Sequence, residues 1–334
     1  MNYATEKKAV DAKMKKLKRI SFVVSVVSII ITLIFCAFVP PTTWKYHFHL
    51  PKIDARNTDE LRMHFLDVGQ GDCTLIELPD GKTLLIDGGK DESASTAVLR
   101  YLNALDVDVI DYLVLTHADA DHCGGLTKVV ENKQVSRAFL PKDSAPQNNE
   151  YAAFYKALTV QKECKVEYSS RAISLNGDGE RAYTLSFLYP YSYEIEADGK
   201  NSERNEQSSV LWLDYQGVSA LFTGDAPIET ETLLMQDFDL GAMDKHVIKL
   251  DETEILKVSH HGSMDATSEA FLDFLNVKTA VISCGADNPY GHPTQEVLNR
   301  LNEREIATYR TDLQGSVVIT VGASGTYEAR TLGK

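Results

Sequence analysis

Residues 111–125 read DYLVLTHADADHCGG, and no other stretch of the 334-residue chain is as dense in chemistry. An apolar run of strand character, DYLVLT, gives way at once to His117-Ala118-Asp119-Ala120-Asp121-His122. Gly124-Gly125 then lead into an apolar helix start at Leu126. In a loop between strand and helix the backbone is free to turn the side chains of His117, Asp119, Asp121 and His122 inward. Two imidazoles and two carboxylates so close can hold two divalent ions about 3.5–4 Å apart, the spacing of two-metal hydrolases. Aspartates also favour the first turn of a helix as caps. Capping accounts for the aspartates but not for both histidines or the glycine pair.

Upstream, LRMHFLDV (61–68), CTLIELP (73–79) and KTLLIDGG (82–89) are short apolar runs parted by turn residues, among them Pro79-Asp80-Gly81. They predict a β-meander containing a hairpin. Residues 93–105 have helical spacing (Ala97, Leu99, Leu102, Leu105). Residues 142–180 are the least regular, with Gln147-Asn148-Asn149 and Asn176-Gly177-Asp178-Gly179 reading as loops around a helix at 150–160. Strands resume at YTLSFLYP, SSVLWLDYQ and VSALFTGD. Helix and strand then alternate through TETLLMQDF, EILKVSHHG, SEAFLDFLN, TAVISCG, TQEVLNRLN, IATYRT and SVVITVG. Such alternation fits an α/β protein in which two sheets pack face to face beneath covering helices, an αββα four-layer sandwich. No short-period repeat suggests a solenoid or propeller.

Several apolar runs end in acid or imidazole: Asp67 and Asp72 in LDVGQGD, Asp87 in LLIDGG, Asp225 in LFTGDA, and His260-His261-Gly262 after EILKVS. Together with the hexad they predict one edge of the sandwich lined with ligands. Gly69-Gln70-Gly71 is too short for a phosphate cradle and reads as a tight turn beside the metals. His64 lies mid-strand and reads as a satisfied histidine; His246 lies on a charged loop. Neither is assigned to the site. No GxSxG, P-loop or strand-borne GxGxxG is present, so serine-hydrolase and nucleotide-binding folds lack support.

The formal charge of −14 is unevenly spread. Residues 1–50 carry eight Lys or Arg against two Asp or Glu, a surplus of six that leaves 51–334 at −20. A body this acidic offers no extended nucleic-acid surface, which needs many basic contacts. Residues 20–39 (ISFVVSVVSIIITLIFCAFV) are uncharged and long enough to span a bilayer as a helix. Pro40-Pro41 end the run. Seven of the eight basic residues precede it, so the positive-inside rule predicts a cytoplasmic segment 1–19 and an extracellular body. The run is long for a cleavable signal peptide and lacks a small-x-small site. Phe35 before Cys36 argues against a lipoprotein signal. An uncleaved signal anchor in the cell membrane is expected, followed by a linker at 40–60 in which His47 and His49 read as solvated, and a hydrolase domain at 61–330. Cys73, Cys123 and Cys284 read as small buried apolar residues rather than bridge partners.

Taken in order, LDVGQGD, LLIDGG, LVLTHADADHCGG, LFTGDA, LKVSHHGS and NPYGHP resemble the metallo-β-lactamase fold, and within it the C-terminal hydrolase-like domain of the ComEC competence family. The resemblance covers residues 60–325. It implies that His117 and Asp119 ligate a first metal, that Asp121, His122 and His261 ligate a second, and that Asp225 bridges them. It further implies that Asp67 holds a ligand imidazole in orientation and that His260 supports the site or contacts substrate. His292, in the GHP tripeptide, is implied as a proton donor or phosphate contact, its alternative being a turn histidine. Asp72 and Asp87 belong to the surrounding shell. Asp119 stands where many members have a histidine, and Asn205 where they have another. Both changes exchange nitrogen for oxygen at the first metal, which makes manganese plausible beside zinc.

The function expected is a metal-dependent phosphodiesterase or nuclease, with Asp121, Asp225 and His292 in the catalytic machinery and DNA, if it is the substrate, bound locally. Hydrolysis of a small phosphoester, amide or lactone is the alternative, as is a non-catalytic module accessory to DNA uptake.

Overall fold

The computed structural model describes residues 3–38, 53, 57–142, 148–191 and 204–333. The expected linker, with His47 and His49, lies largely outside the described residues. The chain divides into two units, residues 1–48 and 49–334, taken here one at a time.

In the first unit a single helix, α1 (Tyr3–Phe38), runs through the basic and apolar segments without an interrupting Gly or Pro. Among the described residues it contains the one stretch long and apolar enough to cross a membrane, Lys13–Ala37.

In the second unit, β1 (Leu61–Phe65), β2 (Thr74–Glu77) and β3 (Thr83–Ile86) form an antiparallel meander. Next come α2 (Glu92–Ala104), β4 (Val109–Val114), the short α3 (Ala120–Cys123), α4 (Leu126–Asn132), β5 (Gln134–Leu140), α5 (Asn149–Thr159) and β6 (Lys165–Tyr168). β3 to β6 are parallel, as strands joined through crossover helices must be. A second sheet starts with the antiparallel β7 (Ser174–Asn176), β8 (Tyr183–Tyr189), β9 (Val210–Tyr215) and β10 (Val218–Phe222). It continues in parallel through β11 (Ile255–Lys257), β12 (Thr279–Ile282) and β13 (Ala307–Arg310), with α6 (Ile228–Asp239), α7 (Glu269–Phe274) and α8 (Gln295–Glu303) as crossovers. After the single turn α9 (Thr311–Gln314), the hairpin β14 (Val317–Val321) and β15 (Tyr327–Thr331) returns to the first sheet, where β14 pairs antiparallel with β1. The sheets have eight and seven strands, in the orders β15-β14-β1-β2-β3-β4-β5-β6 and β13-β12-β11-β10-β9-β8-β7.

Alternation along the strands sorts side chains into three cores. Leu61, Met63 and Phe65 of β1 meet Leu211, Leu213 and Tyr215 of β9 between the sheets. Leu85 and Leu113 face Leu102 and Val129 of the first helical layer. Val210 and Trp212 face Leu234 and Phe271 of the second. This is the four-layer αββα sandwich. His64, on the helix-facing side of β1, is fully buried, with Nδ1 2.9 Å from the Tyr101 hydroxyl and Nε2 2.8 Å from Glu77. Cys73, Cys123 and Cys284 are buried and unpaired.

Strands β5, β6, β7 and β15 were not anticipated. Two of them, β6 and β7, fall in the stretch read as least regular, and the last, ending at Thr331, passes the expected domain boundary by one residue. The ends of β1, β3, β4, β10 and β11 that carry acid or imidazole open on one edge, the usual place for ligands in α/β sheets.

Candidate metal centre

Each arm of the site begins where a strand ends. After β3, Asp87 adopts φ 58° and points its carboxylate under the next strand. Its Oδ1 accepts the Thr116 N–H and its Oδ2 the Thr116 hydroxyl, both at 2.8 Å. The same Oδ2 lies 2.8 Å from His122 Nδ1. A carboxylate accepts only, so Nδ1 carries a proton and His122 Nε2 is the ring atom left to face the centre. The Thr116 oxygen, having donated to Asp87, can accept from His117 Nδ1 at 3.1 Å, with Ser208 Oγ at 3.3 Å on the same nitrogen. His261 Nδ1 donates to the Ser283 carbonyl at 2.9 Å and lies 3.3 Å from Asp72 Oδ1. The polar partners of all three rings thus sit on the Nδ1 side.

Their Nε2 atoms, together with Asp225 Oδ1, are buried and lack a hydrogen-bond partner among the described residues. Asp225 is reached by His122 Nε2 at 3.3 Å, His261 Nε2 at 3.6 Å, His260 Nε2 at 3.7 Å and His117 Nε2 at 3.8 Å. Asp121 Oδ2 lies 3.4 Å from His261 Nε2. The donors form overlapping triplets within 4.8 Å: His117, His122 and Asp225; Asp121, His122 and His261; Asp72, Asp87 and His122; Asp72, Asp225 and His261. Orphaned buried nitrogens converging on carboxylates are what a divalent cation satisfies, so the residues fit a metal centre.

Electrostatics agree. Burial alone would lower the pKa of His122, but Asp225 and Asp87 raise it well above the ordinary value. Burial likewise opposes the charged form of His261, and Asp225 and Asp72 still push it up to about 10. Burial of Asp225 is overcome by His122 and His261, which hold its carboxyl well below the usual range. The carboxylates thus make a field that selects cations.

Asp119 sits at the margin, its Oδ2 3.8 Å from His117 Nε2 and its Oδ1 2.9 Å from Arg204 Nη1. Asn205 occupies the short turn before β9; the neighbouring contacts come from Arg204, on Asp119, and Ser208, which accepts the Asp225 N–H at 3.1 Å. His260 is partly exposed, and its ring meets that of His292 at 5.5 Å. Both histidines of the 260–261 pair take left-handed backbone, φ 48° and 54°. Asp67 Oδ1 accepts the Gly69 N–H at 3.2 Å, and Asp87 and Asp72 stand beside the rings of His122 and His261. The turn after Asp67 passes so close to the site that a Cβ on Gly71, at φ 123°, would stand 2.1 Å from the Asp121 carbonyl oxygen. The chain therefore delivers Asp72 to the imidazoles. Sequence reasoning missed Thr116, Ser208, Arg204, the Ser283 carbonyl and Lys257, a buried lysine whose Nζ contacts Asp72 Oδ2. A lysine inside the apolar run EILKVS was a readable sign that an anion waits beside it.

The fold and this edge define a metallo-β-lactamase-type hydrolase, and residues 66–286 match the family model described as the metallo-beta-lactamase superfamily, so the chain belongs to that superfamily. Within it, the chain is 31% identical over 280 residues to ComE operon protein 3 of Bacillus subtilis, an alignment covering 78% of this chain and 33% of that protein. It is 30% identical over 262 residues to competence protein ComA of Neisseria gonorrhoeae, covering 78% and 32%. The chain thus spans about a third of the length of the curated relatives it matches. Among solved structures, a diphosphatase from the PhnP family superposes with a TM-score of 0.43 at 15% identity, covering 74% of this chain and 94% of that one.

Proposed function

We propose that this chain is a single-span membrane protein whose hydrolase domain, residues 61–330, faces the cell exterior and cleaves phosphodiesters with two divalent ions, zinc or manganese. The observation that carries the reading is the convergence of three orphaned Nε2 atoms on Asp225. Kinship to competence proteins supports nucleic acid as the source of the phosphodiester. His117 and Asp119 would hold one ion and Asp121, His122 and His261 the other, with Asp225 placed to contribute to either. Two such ions supply positive charge for the phosphoryl oxygens and a water acidic enough to attack at neutral pH. Asp87, Thr116, Ser208 and Ser283 fix the imidazoles so that the Nε2 atoms already point inward. His292, beside His260, contacts the phosphate or protonates the leaving oxygen.

The full-length chain, purified in detergent and loaded with zinc or manganese, is expected to bind about two ions, as two-metal sites do. It should hydrolyse bis-p-nitrophenyl phosphate and short oligonucleotides, and Asp121→Ala should abolish both reactions. With a body at −20, few phosphates are held by basic groups. The salt slope of oligonucleotide binding should then correspond to about one to three phosphate contacts, against roughly 6–10 for a strong duplex binder. Elemental analysis that finds no metal after loading would end this reading, and a steep slope would reveal a basic channel.

The orientation is tested on intact cells. Added protease should digest the body and leave residues 1–19 protected, as the basic flank of α1 predicts. A C-terminus that becomes accessible only after lysis would reverse the assignment.

A further inference from the structure

The loop from β12 to α8 carries an exposed aromatic ring to the rim of the metal centre. Tyr290 is 57% exposed. Its ring stacks on His292 with centroids 5.8 Å apart and planes 29° off parallel. His292 meets His260 edge-on at 5.5 Å, and His260 Nε2 lies 3.7 Å from Asp225 Oδ2. Three rings thus step outward from the bridging carboxylate, with tyrosine the outermost.

The step is built rather than incidental. Asn288 staples the loop from inside: its Nδ2 donates to the Gly285 carbonyl at 2.9 Å and to the His292 carbonyl at 2.5 Å. Its Oδ1 accepts the N–H groups of Tyr290 at 3.2 Å and of His292 at 3.0 Å. The far end is pinned to the histidine turn, where Thr294 N–H donates to the Gly262 carbonyl at 2.9 Å. A Cβ on Gly262 would stand 2.5 Å from that of Pro293. Four hydrogen bonds to one side chain fix the loop backbone, and the stack on His292 holds an exposed ring that makes little core of its own. A fixed flat ring beside a phosphate-binding site suits a nucleobase, because every base has a π face and stacking does not depend on charge. An acidic body has few other means of gaining affinity for a nucleotide.

We propose that Tyr290 is the stacking platform for the nucleobase joined to the scissile phosphate, which makes the substrate a nucleotide ester or single strand rather than a base-free phosphoester. The proposal rests on the phosphodiesterase reading above and deepens it.

The test compares thymidine 5′-(p-nitrophenyl phosphate) with methyl p-nitrophenyl phosphate on the full-length, metal-loaded protein in detergent. The leaving group is the same, and only one ester bears a base. The wild type should show a KM lower by about 10-fold or more for the nucleoside ester, the span expected of one stacked base. Tyr290→Phe and Tyr290→Trp should keep that gap. Tyr290→Leu and Tyr290→Ala should close it, through KM more than kcat. Should the alanine variant fail to fold, the Phe and Leu pair decides, since both fill the position and only one offers a π face. A gap that survives in the leucine variant overturns the proposal. So does a wild type that hydrolyses both esters with equal KM, which would leave the phosphodiesterase reading standing. Hydrolysis of neither ester would bring down that reading and the platform with it.

Discussion

Replacing Asp225 with alanine is expected to strip most of the bound metal and to lower turnover on the order of 10³-fold, the scale of losing a central electrostatic group in a water-poor site. Four imidazole nitrogens lie within 3.8 Å of this one carboxylate. It is buried, and its own N–H is tied to Ser208 Oγ, which holds it in place. Asp225→Asn, which keeps the shape and drops the charge, should lose metal nearly as fully. Elemental analysis beside a rate measurement on bis-p-nitrophenyl phosphate checks the result. An alanine variant that retains its metal would show that Asp225 does not hold it.

Asp72→Ala is expected to destabilise the fold by about 3–5 kcal/mol, the cost of leaving a buried charge without its partner. That is a large share of the roughly 5–15 kcal/mol that holds a domain folded. The charge is Lys257, 3% exposed, whose Nζ contacts Asp72 Oδ2 and donates to the Gly224 carbonyl at 3.2 Å. Burial opposes the Asp72 carboxylate, but Lys257 and His261 outweigh it and hold its pKa below the ordinary 3.8. A depressed carboxylate stabilises the fold above its ordinary pKa, and this contribution fades as pH falls through the lowered value. Pairing Asp72→Ala with Lys257→Met should recover most of the stability by urea unfolding but not the metal affinity, because His261 still lacks Asp72. A single variant that unfolds at the wild-type midpoint would show that Lys257 does not depend on Asp72.

Much of this was legible in the sequence, for reasons that differ from place to place. The meander β1 to β3 is readable because Leu61, Met63 and Phe65 alternate against a packed face and Pro79-Asp80-Gly81 breaks the run. The hexad is readable because helix capping accounts for its aspartates but not for its two histidines or the glycine pair behind them. β6 escaped notice because KVEY is exposed at a sheet edge, and β7 because three residues leave no period to detect. Asp67 and Asp72 are five residues apart in one motif, and only the turn between them brings Asp72 beside His261. Arg204 gave no signal beside Asn205, since its partner Asp119 is 85 residues away. The Ser283 carbonyl gave none at all, because a backbone oxygen leaves no mark on residue type.

Asp87, His260 and His261 hold left-handed backbone at φ 58°, 48° and 54°. Residues with a Cβ resist that region, at a cost of order 1–3 kcal/mol each. Glycine in any of the three places would relax the backbone, but at Asp87 and His261 it would also leave buried Thr116, His122 and Asp72 short of a partner. Only at the partly exposed His260 does the relaxation come without that loss, and there the protein should melt later for it. Directed evolution for heat tolerance alone would drift toward glycine at that one place, giving hardier chains with an emptier centre.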